Sequence, residues 1–496
     1  MIEENAAVTA AFVVYLAVML AIGLYAAKYT ETSEDYFLGG RRLGPWSAAL
    51  SAGASDMSGW LLLGLPGFAF VAGAEAVWVA LGLLVGTYLN WLLIAKRLRH
   101  YSVALNDAVT LPEFLARRFA DDSKLIQSLS AIFILLFFLF YTSSGLVAGG
   151  KLFETVFGFD YTAALFIGTG CIVIYTLFGG FLAVAWTDLV QGLLMMAALI
   201  IVPAVAVQYI GGGSYVYQAI SQENIHLLDI WTDKNGQPLT LISIVSLMAW
   251  GLGYFGQPHI LARFAAMKNG QVAVPARRIA VAWSAIAMLG AILTGFAGMV
   301  FVDSHLGGHV ADVERIFMLL VDTIFHPLVA GILLAAILAA IMSTADSQLL
   351  VSSSALAEDM YRQLLNPGAT SREVVVVARL SVLVLALIAL MLAMNPNSTV
   401  LGLVSYAWAG FGAVFGPVVL LSLYWRRMNR AGAAAGMISG GVTVVVWAEL
   451  SGGIFELYEI VPGVIVASLS VMIVSLISRK PSNTVSSDFN KYQQGL

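Results

Sequence analysis

A single carboxylate interrupts a long apolar stretch near the N-terminus. Ser51–Gly67 (SAGASDMSGWLLLGLPG) contains Asp56, the only Asp or Glu between Asp35 and Glu75. Serine and glycine residues surround it and Pro66 follows, so a helix through this stretch is expected to unwind. A carboxylate and freed backbone carbonyls could together coordinate a cation. The alternative is that Asp56 caps the broken helix or bonds to a neighbouring one.

Two adjacent hydroxyls stand in a second apolar stretch. Ser343 and Thr344 lie within Ala340–Ser347 (AIMSTADS). Sodium is a hard cation that prefers oxygen ligands, so two hydroxyls from one helix and carbonyls from an unwound helix would make a cage of about five oxygens. Ser and Thr can instead bond to the preceding turn of their own helix. The sequence leaves both interpretations open.

Glycines, a proline and aromatic residues are concentrated in a third segment. Trp250–Pro258 (WGLGYFGQP) holds three glycines and one proline in nine residues, a pattern typical of an interrupted helix. Trp250, Tyr254 and Gln257 supply aromatic faces and polar heads there. Such residues could bind a small solute, although aromatic stripes in membrane helices more often pack or face lipid.

The composition defines the surroundings in which these segments must fold. Of the 496 residues, 60% are hydrophobic and 11% are charged, against about 25% charged in soluble domains. The mean hydropathy is +0.88. So little charge cannot cover the surface of a soluble protein of this length, and the excess apolar residues must face lipid. The sequence therefore predicts an all-α polytopic membrane protein.

Hydropathy divides the chain into thirteen predicted transmembrane helices of about 20 residues each. They fall near 8–27, 46–73, 76–95, 127–149, 161–180, 186–208, 239–258, 280–302, 326–350, 374–394, 398–424, 432–449 and 460–477. The longer polar stretches, 96–126, 209–238 and 303–325, could hold short interfacial or gating helices. A single transport domain is predicted over 1–480. The segment 481–496 is predicted to be a polar, mobile cytoplasmic tail.

The basic residues give the orientation of the predicted spans. Of the 25 Lys and Arg residues, all except Lys151, Lys234 and Arg315 are assigned to one set of alternate loops, including Arg263 and also Arg379, which falls within the predicted span 374–394. Since cytoplasmic loops carry the excess of positive charge, the N-terminus is predicted outside and the C-terminus in the cytoplasm.

The two predicted helix breaks lie about 195 residues apart, in the second and seventh spans. Broken helices at matching positions in two halves indicate a secondary transporter built from an inverted repeat. Spans 2–6 and 7–11, about 46–208 and 239–424, would then form the two five-helix repeats, and spans 1, 12 and 13 would flank them. Because five is odd, the second repeat would be inserted upside down.

Long segments of the chain resemble a known family. Ser51–Gly67, 249–264 (AWGLGYFGQPHILARF) and 401–420 (LGLVSYAWAGFGAVFGPVVL) resemble the bacterial sodium/proline symporters, and 174–191 (IYTLFGGFLAVAWTDLVQ) is similar to the wider sodium:solute symporter family. The resemblance covers nearly the whole chain. It implies a leucine-transporter-like fold and sodium-coupled import of L-proline by alternating access, with one sodium per proline.

The resemblance also implies which residues form the sites. The sodium site would use the backbone carbonyls of Ala54, Met57 and Ala340 and the hydroxyls of Ser343 and Thr344, with Asp56 beside them. Asp188 would be important for sodium-dependent function, whereas Asp346 could line the cytoplasmic sodium exit route or pair with an arginine. The implied substrate-site residues are Ser55, Ser58, Gly59, Trp60, Tyr141, Trp250, Tyr254, Gln257 and Pro258.

The family resemblance further implies the location and the partners. It predicts a multi-pass protein of the bacterial cytoplasmic membrane, with sodium as the coupling ion, no organic cofactor, membrane lipid around it, and no nucleic-acid or obligate protein partner. The alternative is a symporter of the same family for pantothenate, a sugar or a monocarboxylate. A channel would need a continuous polar pore, and an enzyme a catalytic constellation. The six histidines show no metal-ligand spacing.

Overall fold

The chain folds into a helical bundle, seen here in a computed structural model that describes residues 2–29, 32–178, 180–395 and 398–494. The α-helices are α1 (Ile2–Ala27), α2 (Ser33–Leu38), α3 (Pro45–Asp56), α4 (Leu65–Ala72), α5 (Ala76–Asn90), α6 (Lys96–Ala104), α7 (Leu111–Arg118), α8 (Leu125–Phe157), α9 (Tyr161–Phe178), α10 (Phe181–Ile210), α11 (Gly213–Asn224), α12 (Leu241–Met248), α13 (Pro258–Ala265), α14 (Ala273–Leu306), α15 (Ile316–Ile324), α16 (Pro327–Ser354), α17 (Ser371–Ala393), α18 (Val400–Tyr424), α19 (Arg430–Ala448), α20 (Ile460–Ile477) and α21 (Asn483–Gln494).

Helix is present at every segment for which hydropathy predicts a span. Within the described residues, ten helices are long and apolar enough to cross a membrane. One of the ten, Trp60–Ala104, covers residues of two predicted spans, and Tyr161–Ile174 and Leu241–Gly256 are shorter apolar helices. The polytopic all-α fold is confirmed, and the count of thirteen spans stays a prediction.

The first predicted break lies between α3 and α4. Helix α3 ends at Asp56, and Met57 leaves the helical region with φ −84° and ψ 76°. The chain resumes in a π-helical turn, Trp60–Gly64, before α4. Pro66 falls in the first turn of α4, which continues directly from this π-helical turn.

The second predicted break lies between α12 and α13. After Met248 the chain tightens into a 3₁₀ segment, Ala249–Gly256, and Gln257 is extended with φ −76° and ψ 109°. Pro258 opens α13, since proline disfavours helix at the residue before it and is well suited to a first helical position. The helix then continues to Ala265, beyond the predicted end of this span at 258.

The two breaks face each other in the centre of the bundle. Helix α3 packs against α10, α14 and α16, while the segment Ala249–Gly256 packs against α5 and α18. Small residues allow Ala249–Gly256 to approach α5 closely: a Cβ added at Gly251 would lie 2.2 Å from the Gly82 carbonyl oxygen. Helix α16 is buried along most of its length, which places Ser343 and Thr344 inside the protein.

The polar stretches between the spans contain short helices, as predicted. Helices α6 and α7 occupy the first, α11 the second and α15 the third. The prediction of a mobile tail is wrong, because helix α21 packs onto α6. The Tyr492 ring stacks on Tyr101 with centroids 4.0 Å apart, and Phe489 is buried beneath the Arg118 guanidinium.

The assignment of Arg263 to a cytoplasmic loop is also wrong. Arg263 lies on α13 and is fully buried. The loop was inferred from the apparent end of hydropathy at the break, but the chain continues as a buried helix beyond it. The charge is tolerated there because Asp188 on α10 pairs with it at 3.2 Å.

Candidate functional site

The hydroxyl pair of α16 meets the end of α3. Ser343 Oγ donates to the Ala54 carbonyl at 2.8 Å, and Thr344 Oγ1 donates to the same carbonyl at 3.3 Å. Ser343 Oγ also lies 3.2 Å from the Ala340 carbonyl. The helix break beyond Ala54 leaves its carbonyl available, because the Ser58 N–H, which would bond to it in a continuous helix, bonds to the Asp56 carbonyl instead.

This arrangement collects neutral oxygens from two helices that are far apart in the sequence. Two carbonyls and two hydroxyls meet in a buried region, and hydroxyls can turn their lone pairs toward a cation when they stop donating to carbonyls. Four of the predicted sodium-site residues, Ala54, Ala340, Ser343 and Thr344, are therefore brought together. Met57 lies at the break itself.

The Asp56 side chain points to a different neighbour. Its Oδ2 accepts a hydrogen bond from the Tyr254 hydroxyl at 2.6 Å. The Asp56 backbone carbonyl accepts from the Tyr141 hydroxyl at 2.8 Å and from the Trp60 indole at 3.2 Å. Asp56 thus connects the first break to the second, through Tyr254, and to α8, through Tyr141.

The aromatic residues predicted for the substrate site form two groups, one around Trp250 and the other around Tyr254. The Trp250 ring lies 6.3 Å from the Trp60 ring, and it stacks on Tyr458 at 5.6 Å. Tyr254 meets Trp408 edge to face at 5.0 Å. All of these rings except Tyr458 are at least nine-tenths buried.

A cavity of about 650 Å³ opens above the first aromatic group. Trp250 and Tyr458 form part of its wall, together with residues of α4, α18 and the loop before α20. Asp312 and Glu314 line its edge, and both bind Lys151, at 2.8 and 2.7 Å. Trp250 therefore lines this cavity and also contacts the buried Trp60 ring, which does not line it.

The other predicted substrate-site residues make contacts that do not involve the aromatic rings of these two groups. Ser55 Oγ bonds within its own helix, and a Cβ at Gly59 would lie 2.7 Å from the Ala148 Cβ, so Gly59 allows close packing. Gln257 is buried and donates to the Gly253 carbonyl. Pro258 lines a separate narrow cavity near α7 rather than the aromatic group. Ser58 is buried beside the break.

A buried charged network lies one helical turn from the hydroxyl pair. Asp188 Oδ2 accepts from Ser51 Oγ at 2.6 Å and from Arg263 at 3.2 Å. Arg263 also bonds to Ser347, whose hydroxyl donates to the Ser343 carbonyl at 2.8 Å. Asp346 accepts from Ser347 at 3.2 Å and shows no direct ion pair with an arginine within the described chain.

Sequence reasoning missed several members of this constellation. Arg263 lies in the segment 249–264 that resembles the family. Its position five residues after Pro258 could have indicated a buried cation. Trp408, which donates to the Trp250 carbonyl at 2.6 Å, also stood in a quoted segment. Tyr458 carried no local signal, since Trp250, on which its ring stacks, lies in a distant segment of the chain.

The fold and this site together define a secondary transporter. The structure resembles that of a Na⁺-coupled sialic acid symporter in its substrate-bound outward-open state, with a TM-score of 0.80, 20% identity, and coverage of 96% of this chain and 99% of that chain. It also resembles Mhp1, a nucleobase-cation-symport-1 family transporter, with a TM-score of 0.58, 15% identity and coverage of 92% and 98%. The fold is the leucine-transporter-like one.

The chain belongs to the sodium:solute symporter family, whose model matches residues 36–440. It is 51% identical to the osmoregulated proline transporter OpuE of Bacillus subtilis over 472 residues, covering 95% of this chain and 94% of the relative. It is 49% identical to the sodium/proline symporter of Escherichia coli over 481 residues, covering 96% and 94%. It is therefore a multi-pass membrane transporter and not an enzyme.

Proposed function

We propose that this protein is a sodium-coupled symporter that imports L-proline by alternating access, with one sodium per proline. The observation that carries the proposal is the convergence of the Ser343 and Thr344 hydroxyls on the Ala54 carbonyl at a helix break. The near 50% identity to relatives named as proline transporters, over almost their whole length, supports the choice of substrate.

The aromatic groups suit the chemistry of proline. Proline is a zwitterion with a small apolar ring and an ammonium bearing two N–H donors. The faces of Trp60 and Trp250 would cover the ring and attract the ammonium, an interaction worth about 0.5–2 kcal/mol. The N–H groups at the start of the helix after Gly59 would receive the carboxylate, since helix N-termini favour anions.

Sodium would couple to proline through the position of α3 against α16. An ion held by Ala54, Ser343 and Thr344 joins the two helices and favours the state that accepts substrate, and by linkage proline favours sodium to the same extent. One sodium crossing 100 mV supplies about 2.3 kcal/mol, and a tenfold gradient adds about 1.4 kcal/mol. One ion therefore suffices for a proline ratio of several hundred.

We further propose the orientation and the repeat boundaries. The cavity beside Trp250 would open to the outside, the N-terminus would lie outside, and the C-terminus would lie on the inner face of the bacterial cytoplasmic membrane. The transport domain would span 1–480, with repeats at about 46–208 and 239–424. Single cysteines at the exposed positions Ala104 and Gln222, in a background with Cys171 replaced, should react from opposite sides of the membrane. Labelling of Ala104→Cys from outside would reverse the orientation.

The function is tested by uptake of labelled proline into proteoliposomes. An inward sodium gradient should drive accumulation, and a potassium or choline gradient of the same size should not. Unlabelled proline should compete, whereas pantothenate, glucose and lactate should not. Uptake that is independent of sodium, or that is displaced by one of those other solutes instead of proline, would reject the proposal.

A further inference from the structure

The Trp250 side chain has no hydrogen bond that would fix its orientation. Its backbone carbonyl accepts from the Trp408 indole at 2.6 Å, which places the main chain but not the ring. Within the described residues, the Trp250 indole N–H makes no hydrogen bond. The orientation of the indole therefore depends on the side chains packed against it, among them the rings of Trp60 and Tyr458.

Tyr458 is the nearer and the more nearly parallel of these two rings. Its centroid lies 5.6 Å from that of Trp250 with the planes at 28°, whereas Trp60 lies at 6.3 Å with the planes at 40°. Stacked aromatic pairs at such separations attract each other and constrain the angle between the rings. The stack on Tyr458 is therefore the closer constraint on the Trp250 indole.

Tyr458 is itself held firmly. Its hydroxyl donates to the Ser405 carbonyl on α18 at 2.6 Å, and its backbone N–H donates to Ser246 Oγ on α12 at 3.0 Å. Two residues later, Ile460 is fully buried at the start of α20, and a Cβ added at Gly412 would lie 2.7 Å from the Ile460 Cδ1. A ring fixed at its hydroxyl and at its backbone can orient the indole on which it stacks.

Tyr458 comes from outside the two repeats proposed above. The second repeat ends with α18, and Tyr458 lies in the segment that joins α19 to α20. That segment lines the cavity of about 650 Å³, and the Trp447 indole on α19 donates to its Leu457 carbonyl at 2.8 Å. Helix α20 also packs against Ala249–Gly256. A flanking part of the chain thus reaches the substrate side of the second break.

We propose that Tyr458 is a positioning residue for the substrate. It holds the Trp250 indole with its face available to the solute, so the affinity for proline depends on the segment between α19 and α20. The inference rests on the proposed function, which gives Trp250 its solute. Tyr458 acts on proline and not on sodium, since within the described chain it makes no hydrogen bond or ring contact to a predicted sodium-site residue.

The role is tested by the kinetics of sodium-driven proline uptake in proteoliposomes. Tyr458→Leu removes the stacked ring, and the proline concentration for half-maximal uptake should rise about fivefold. The maximal rate and the sodium dependence should change less. Tyr458→Phe keeps the ring and loses only its bond to Ser405, so its proline dependence should lie between those of the wild type and Tyr458→Leu.

Trp447→Phe is the matched control in the same segment. It removes the hydrogen bond to the Leu457 carbonyl and keeps an aromatic ring beside Phe455. Because neither residue contacts Trp250 within the described chain, the proline dependence should stay at the wild-type value. A role of Tyr458 in stability alone would instead lower the yield and the maximal rate of both variants.

A double variant shows whether Tyr458 acts through Trp250. Residues that act through one contact have non-additive effects. Adding Tyr458→Leu to Trp250→Ala should therefore cause no further rise in the proline concentration for half-maximal uptake. Equilibrium binding of labelled proline to the purified protein gives the same comparison where uptake is too slow to measure.

Two results would overturn this role of Tyr458. One is an unchanged proline dependence in Tyr458→Leu, and the other is the same rise recurring in full in the Trp250→Ala background. Either result, in a wild type that shows sodium-driven proline uptake, rejects only the role of Tyr458. A wild type without sodium-driven proline uptake rejects the proposed function and the positioning role together.

Discussion

The two helix breaks satisfy their freed backbone groups in different ways. At the first break, carbonyls accept from side-chain hydroxyls and an indole: Ala54 from Ser343 and Thr344, and Asp56 from Tyr141 and Trp60. Hydroxyls can exchange one partner for another at little cost. The first break is therefore built from bonds that an arriving cation can replace.

At the second break, the carbonyls of Trp250 and Gly253 accept from an indole and an amide, and the backbone is also closely packed. A Cβ at Gly253 would lie 1.9 Å from the Trp408 indole nitrogen, and one at Gly256 would lie 2.1 Å from the Phe411 carbonyl oxygen. Trp408 donates to the Trp250 carbonyl and holds that backbone against α18. These contacts leave no space for a guest beside the backbone.

This difference indicates that the two helix breaks, which have similar sequence patterns, have different functions. Both are short runs of small residues ending near a proline, and both interrupt a helix. The first carries a carboxylate and faces hydroxyls, so it can bind an ion. The second carries rings on a rigid backbone, so it can present them to a solute. Tyr254 and Asp56 are the direct connection between the two.

The largest effect is expected from Asp56→Asn. This change keeps the size and capping ability of the side chain but removes its charge. If Asp56 only capped α3, sodium-driven uptake would remain near normal. Because the family resemblance predicts that Asp56 lies beside the sodium ion, uptake should fall at least about 100-fold, the effect of losing roughly 3 kcal/mol. Transport assays on membranes with matched protein levels measure this, and ordinary uptake by this variant would remove Asp56 from the sodium site.

Gly256→Ala should reduce the yield of folded protein more than the transport rate of the protein that does fold. The added Cβ would meet the backbone of α18, which cannot move aside as a flexible side chain could. We expect the yield of monodisperse protein to fall several-fold, measured by size-exclusion chromatography in detergent. Gly149→Ala on α8 is the control, because among the described residues no atom outside its own stretch of helix lies within 4 Å of its added Cβ. Equal yields from the two variants would show that the second break is not held by packing.

Much of this arrangement was predictable because helix breaks leave local signals. The combination of Asp56 with small residues, and of three glycines with Pro258, indicated both breaks, and the adjacent hydroxyls of Ser343 and Thr344 stood out in an apolar helix. Each of these depends on residues that are close together in the sequence. The polytopic helical fold followed from hydropathy for the same reason.

The connections between distant segments were not predictable in this way. Asp188 and Arg263 lie on α10 and α13, and neither the spacing nor the composition indicates that they form a pair. The positive-inside rule misplaced Arg263, since it counts charges without knowing which are buried.

Ser343→Ala and Thr344→Ala should weaken sodium without disturbing the fold. Each removes one oxygen from the site, and a lost bond to a charged group costs about 1.5–3 kcal/mol. The sodium concentration for half-maximal uptake should rise about tenfold or more, and raised sodium should partly restore the proline response because the coupling is reciprocal. Ser422→Ala is a control with a buried hydroxyl that bonds within its own helix. Unchanged sodium dependence in both variants would show that these hydroxyls have only a structural role.

The smallest effect, and the one that bears most directly on the comparison, is expected from Tyr254→Phe. The ring keeps its contact with Trp408, and only the hydroxyl that donates to Asp56 is lost. Losing one such bond, at about 1 kcal/mol, should raise the sodium concentration for half-maximal uptake roughly fivefold. At saturating sodium, the proline concentration for half-maximal uptake should change less.

Trp250→Phe should instead raise the proline concentration for half-maximal uptake more than the sodium concentration. The reason is that Trp250 faces Trp60 and the cavity and makes no bond to Asp56 within the described residues. Kinetics of both variants over a grid of sodium and proline concentrations separate these outcomes. If Tyr254→Phe altered proline alone, the hydroxyl would not connect the breaks, and the second break would act only as a wall of the substrate site.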